Sequence, residues 1–421
     1  ELVQRLYSAR ISGTLNGANS GDGTKRKKKK KRRVYDDDAP GEFEGANFDA
    51  NQSNSASTNG RANYDISDQI ETNTYGTADS DSTNGWSITT PFVYHELETS
   101  KSVAAQNAND VYIRPSPGKY AAIKVQLKKE GQPSSIEWAL LVDTACSGLV
   151  LSPNAVARAN QLCPGILQTI NNAGTLTMAG SSQGASVAKW DSYTKMYVGG
   201  AAINHVNVAA CQDIGALPSG LDGIMGLSFL DQFACADFDF VNNELRLEKT
   251  DPNPLIPNLN DMVARGSLSM TSMRIYTADM TLDGRGPVKL LVDTGAASSF
   301  LNWKGVSDMR LSSSSPQIEP LRDQIGAMGA DNMALRLTHR FTLKRRWNLV
   351  AENNAVGDFC PGIGLSDDVQ SDIDISDLPV LDALKGEGVG GILGADLLMM
   401  CDVVRFTGLN GGTPAMILMK H

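Results

Sequence analysis

The sequence is short of metal ligands. Its 421 residues hold 4 histidines. His95, His205, His339 and His421 are scattered, with no ligand spacing. Each reads as a surface or satisfied histidine, and no metal or cofactor is expected. Cysteine is also sparse. Cys146, Cys163, Cys211, Cys235, Cys360 and Cys401 stand far apart, without a Cys-x-x-Cys pair, which argues against a zinc ribbon. Their density is far below that of a disulfide-stapled scaffold, so no pairing is assigned. No apolar run approaches the ~18 residues needed to span a bilayer, and no membrane span is expected. Positive charge is outweighed: the net charge is −9, which disfavours general nucleic-acid binding by the folded part. No Walker loop or Gly-x-Ser-x-Gly elbow occurs. Gly386 to Gly391 fits G-x-G-x-x-G, but it leads into an apolar strand rather than opening a helix after one, the reverse of a dinucleotide site. The chain starts at Glu1 rather than a methionine, so localisation is left open.

Aliphatic residues are few over residues 1–105, where Gly, Ser, Asn, Asp and Thr dominate, as from Asn51 to Gly60. Such a composition buries too little apolar surface to offset chain entropy, and a disordered N-terminal extension is expected. It contains an unbroken basic run, Lys25 to Arg33, followed by Asp36, Asp37 and Asp38. The run reads first as a solvated charge block. Other readings are a nuclear-import signal, a contact with nucleic acid or an anionic surface, or an inhibitory pro-segment facing an acidic cleft.

Beyond the extension the texture changes. Hydrophobic residues make up 41% of the chain, enough for real cores. Tyr120 to Leu127 alternates apolar with polar, Lys129 to Pro133 is turn chemistry, and Trp138 to Val142 runs apolar into Asp143. After Ser152-Pro153, which reads as a helix start, come a Gly/Ser loop around Gly180 and an apolar element, Ile224-Met225-Gly226. Asp222, before that element, reads as a turn residue. Residues 251–267, with Pro252, Pro254 and Pro257, read as a linker. The same order then returns. A strand begins at Met273, a turn spans Asp283 to Pro287, and Lys289 to Val292 leads into Asp293. A glycine loop around Gly329 and a second apolar element, Ile392-Leu393-Gly394, follow. Four features recurring in series predict an internal duplication. The expected domains are an extension over 1–105, a first lobe over 106–250, a linker over 251–267 and a second lobe over 268–421. Many short strands predict lobes that are mainly β.

Duplicated strands ending in Leu-Leu-Val-Asp-Thr, at 140–144 and 290–294, would bring two carboxyls together at a pseudo-twofold axis. Like charges that close cannot both ionise cheaply, so one proton is shared and the pair titrates in two steps. The ionised member takes a proton from a held water while the protonated member polarises a carbonyl. Gly295 permits a tight turn, and Thr144 and Thr294 are placed to bond across the axis.

Val292-Asp293-Thr294-Gly295-Ala296 and Gly391-Ile392-Leu393-Gly394-Ala395-Asp396 resemble the signatures of two-lobed aspartic proteases of the retropepsin-like and pepsin-like family. The resemblance covers about residues 111–420. It implies an all-β fold of two acid-protease-type β-barrel lobes with a cleft between them. It implies an aspartic endopeptidase with Asp143 and Asp293 catalytic, Thr144, Ala145, Thr294 and Gly295 supporting, and flaps near Gly180 and Gly329. The substrate is then an extended polypeptide. Two motifs on one chain imply a monomer. Neither flap candidate carries a pepsin-style Tyr, which makes the retropepsin-like branch the nearer one. The first motif departs from the family in reading Asp-Thr-Ala-Cys. A methyl at that turn would cost ~1 kcal/mol or more where φ is positive, which keeps open a catalytically silent homologue that binds peptides or partner proteins. Cys146, beside an acid, is expected to have little thiolate character.

Overall fold

The computed structural model describes residues 87–95, 112–113, 119–131, 135–169, 176–177, 184–191, 193–203, 208–211, 220–250, 262–328, 334–350, 362–365 and 371–420. All described residues belong to one compact unit. The basic run at Lys25 to Arg33 and the flap candidates Gly180 and Gly329 lie outside the described residues.

The architecture is all-β, in two duplicated lobes, and the duplication holds strand by strand. In the first lobe Tyr120–Lys129 pairs antiparallel with Ser135–Val142. The acid-bearing strand then runs parallel to Gly223–Met225, with Val142 opposite Met225. Gly223–Met225 in turn pairs antiparallel with Leu149–Leu151, the strand that leaves the acid loop. In the second lobe Tyr276–Leu282 pairs antiparallel with Arg285–Val292. Arg285–Val292 runs parallel to Gly391–Leu393, with Val292 opposite Leu393, and Gly391–Leu393 meets Phe300–Leu301. These middle strands are wholly buried, which is why Gly-Ile-Met and Gly-Ile-Leu read as short apolar runs rather than alternations. A capped helix follows each acid loop. Ser152 accepts from the Ala155 N–H ahead of Pro153–Leu162. Asn302 accepts from the Gly305 N–H ahead of Trp303–Asp308.

Several boundaries differ from the expected ones. Ser87–Pro91 and Val93–His95, inside the expected extension, are strands. Ile88 and Phe92 are buried, and that apolar contact holds them in the fold. Residues 262–267, expected as linker, belong to the strand Met262–Met270, because Met262, Ala264, Gly266 and Leu268 alternate inward. The second-lobe hairpin turns at Asp283 (φ 50) and Gly284 (φ 73), the two left-handed residues of a tight two-residue turn. Its outgoing strand therefore starts at Arg285, not Lys289. Asp283 tolerates that backbone because its carboxylate accepts from the N–H groups of Lys344, Arg345 and Arg346. Arg274 (φ 58) turns the chain, so the preceding strand starts at Tyr276 rather than Met273.

A platform joins the lobes. It runs Ser87–Pro91, Glu244–Glu248, Cys235–Asp239, Val403–Thr407, Ala415–Met419, Met262–Met270, all antiparallel. At its centre Arg405 donates through two nitrogens to both oxygens of Asp237, each at 2.7 Å. Phe238 and Phe406 meet edge to face with centroids 5.5 Å apart. One continuous apolar core reaches from Trp138 and Phe229 in the first lobe to Trp347 and Leu393 in the second. The acid loops are thus mounted on strand ends anchored from both sides. Among the described residues no helix is long and apolar enough to cross a membrane.

Candidate active site

Asp143 and Asp293 end equivalent strands, and each is held by the same backbone bond. The Asp143 N–H donates to Met225 O at 3.0 Å, and the Asp293 N–H donates to Leu393 O at 3.0 Å. Leu227 N donates to Cys146 O, and Ala395 N donates to Ala296 O, each at 2.7 Å. The apolar-apolar-Gly elements therefore clamp the acid loops from behind. A Cβ on Gly226 would lie 2.1 Å from Cys146 O, and one on Gly394 would lie 2.5 Å from Ser298 C, so glycine is required at both positions.

The two loops are tied to each other through their threonines. Thr144 Oγ1 donates to Val292 O at 2.8 Å, and Thr294 Oγ1 donates to Val142 O at 2.8 Å. Each hydroxyl also accepts the other threonine's backbone N–H at 3.1 Å. This reciprocal set is the clearest expression of the pseudo-twofold axis, and both threonines are buried.

The carboxyls of Asp143 and Asp293 come together at that axis, close enough to act on each other directly. Asp143 is buried and Asp293 half-buried. Burial pushes both above the ordinary carboxylate range. The Asp143 charge raises Asp293 further. Backbone donors oppose the rise. Ala145 N reaches Asp143 Oδ1 at 2.7 Å. Gly295 N and Ala296 N reach Asp293 Oδ1 at 2.9 and 2.8 Å. One proton held between two carboxyls is the arrangement that general acid–base chemistry on a water and a carbonyl needs.

Ala145 does not strain its loop. Neither it nor Gly295 is in the left-handed region, so the expected backbone penalty is absent. Cys146 is buried, and its Sγ donates to Gly148 O at 3.3 Å. The strands on either side of the flap candidates pair antiparallel. Thr177 lies opposite Gly184 in the first lobe, and Met328 opposite Ala334 in the second. Asp222, read from the sequence as a turn residue, instead ties distant segments together, accepting from Ala139 N at 3.0 Å and from Arg158 at 2.8 Å. Gly386 falls in a short 3-10 turn, Lys385–Glu387, ahead of the strand Gly391–Leu393.

Sequence reasoning missed two supports. Ser299 Oγ donates to Asp396 Oδ1 at 2.6 Å and accepts from Gly394 N at 2.9 Å, stitching the second acid loop to its clamp. Asp396 sits in the quoted Ile-Leu-Gly-Ala-Asp run, but only the fold reveals its partner. Tyr120, at the start of its strand, is near enough to Asp293 for that charge to act on it. Burial first, and then Asp293, push its phenol up to about 12.

No protein-family model matches the chain, and no curated protein does. Among solved structures, an aspartic proteinase from Irpex lacteus is 12% identical, with 80% of this chain and 98% of that chain covered and a TM-score of 0.42. Basic 7S globulin from soybean is 9% identical, with 80% and 95% covered and a TM-score of 0.41. A protein named edgp is 10% identical, with 80% and 96% covered and a TM-score of 0.41. Likenesses this distant carry no argument about chemistry, so the reading of the site rests on its own geometry.

Proposed function

We propose that the chain is an aspartic endopeptidase that hydrolyses peptide bonds with a water activated between Asp143 and Asp293. The observation that carries this reading is the meeting of the two carboxyls, mounted on matched strand ends and locked by the reciprocal threonine bonds. The ionised member of the pair takes a proton from the water as it attacks the scissile carbonyl, and the protonated member gives its proton to the carbonyl oxygen. The resulting tetrahedral species collapses as the amine leaves with a proton from the dyad. No covalent intermediate is needed. An extended polypeptide would lie between the lobes, under the hairpins that flank Gly180 and Gly329. One chain supplies both acids, which supports action as a monomer.

The silent, peptide-binding reading loses its motive. Ala145 carries ordinary backbone and still donates its N–H to Asp143 at 2.7 Å. The deciding experiment is turnover of a peptide library from about pH 3 to about pH 7, the range in which a shared-proton dyad works. Activity is expected in the native chain and only background in Asp293→Asn. Undiminished turnover by that variant would refute the dyad.

A further inference from the structure

The two acid loops differ at one position that faces the dyad. Gly295 in the second loop corresponds to Ala145 in the first. A Cβ built on Gly295 would lie 2.5 Å from Asp143 Cγ and 2.6 Å from its Oδ2. The space beside Gly295 is therefore filled by the Asp143 carboxyl. By the pseudo-symmetry of the reciprocal threonine bonds and the matched aspartate N–H bonds, residue 145 is the counterpart of Gly295 on the Asp293 side. There the side of the loop carries a methyl group. Asp293 cannot close on residue 145 as Asp143 closes on Gly295.

We infer that Ala145 is a positioning residue whose methyl holds the Asp293 carboxyl off its symmetric place and makes the two acids unequal. This deepens the proposed function and rests on it. The asymmetry costs nothing in backbone strain, since residue 145 keeps an ordinary φ. It acts on the chemistry instead. A carboxyl held back feels its partner's charge less, so the two titration steps lie closer together than in a symmetric pair. It also fixes roles. One acid packs against glycine, and its mate faces a methyl.

The test is a carbon-13 NMR titration of aspartate-labelled full chain, comparing native protein with Ala145→Gly and Ala145→Ser. In Ala145→Gly the carboxyls draw together. The separation of the two steps should widen by about half a pH unit or more, with the upper step moving up. The alkaline limb of any pH–rate profile should follow it. In Ala145→Ser the added hydroxyl should donate to Asp293 and move its step down, and this variant decides the matter if the glycine variant does not fold. Dyad titrations that superimpose on the native ones in the folded variants overturn the inference. Failure of the underlying reading looks different. Both acids of the native chain would then titrate independently near the ordinary value of about 4, and the inference would fall with it.

Discussion

Replacing Thr144 with valine keeps the side-chain volume and removes one hydroxyl. That hydroxyl donates to Val292 O at 2.8 Å and accepts the Thr294 N–H at 3.1 Å. Both orphaned groups lie at the buried junction of the loops, where water does not readily replace the lost partner. Leaving a buried donor or acceptor unmet costs about 1–3 kcal/mol each. The expected loss is therefore roughly 2–6 kcal/mol, the upper part of which is a large share of the ~5–15 kcal/mol typical of a folded domain. The axis makes a sharper demand. Thr294→Val removes the mirror pair of bonds, to Val142 O and from Thr144 N, so the two single variants should cost the same to within about 1 kcal/mol. Urea unfolding followed by tryptophan fluorescence measures both, with m-values checked for constancy. A loss below about 1 kcal/mol in either variant, or a marked inequality between them, would show that the reciprocal bonds do not hold the loops together.

Two further outcomes follow from the charges. Burial and the Asp143 charge raise the Asp293 carboxyl. A raised acid favours the folded state below its unfolded value, and that contribution is lost as pH rises through the folded one, at about 1.4 kcal/mol per unit of displacement. Asp293→Asn should therefore be more stable than the native chain at neutral pH and lose that advantage in acid. Urea midpoints across pH test this, and a variant less stable at every pH contradicts it. In the platform, Arg405→Met strips the bidentate partner from Asp237, whose side chain is 4% exposed. Arg246, at 3.4 Å, compensates only in part. A loss of about 3 kcal/mol is expected, recovered in part by adding Asp237→Asn. A double-mutant cycle with no coupling would rule this out.

What the sequence displayed was local, and what it hid was distant. The acid loops could be read because hairpin, acid, hydroxyl and clamp each leave a mark within a few residues and the marks come twice. Ala145 was visible, but its effect was misjudged. The cost was sought in φ, whereas the methyl's importance lies in what faces it across the axis. Ser299 gave no sign of Asp396, because 97 residues separate them. The platform was hidden for the same reason. Ser87–Pro91 carries a single aliphatic residue, Ile88, amid polar composition, and only its pairing with Glu244–Glu248 makes it a strand. Met262–Met270 was obscured by the prolines before it, although its alternation is regular.

The platform also dictates an order of assembly during synthesis. Cys235–Asp239 pairs early with Glu244–Glu248 but finds its second neighbour in Val403–Thr407, and Met262–Met270 finds its longer pairing in Ala415–Met419. A growing chain can close its first lobe early, yet it carries an open hydrogen-bonding edge until residues 403–419 have been made. Partners so far apart in sequence make for slow closure and a long exposure to stray strands. The strands Val403–Thr407 and Ala415–Met419 are therefore the ones that end the growing chain's most aggregation-prone interval.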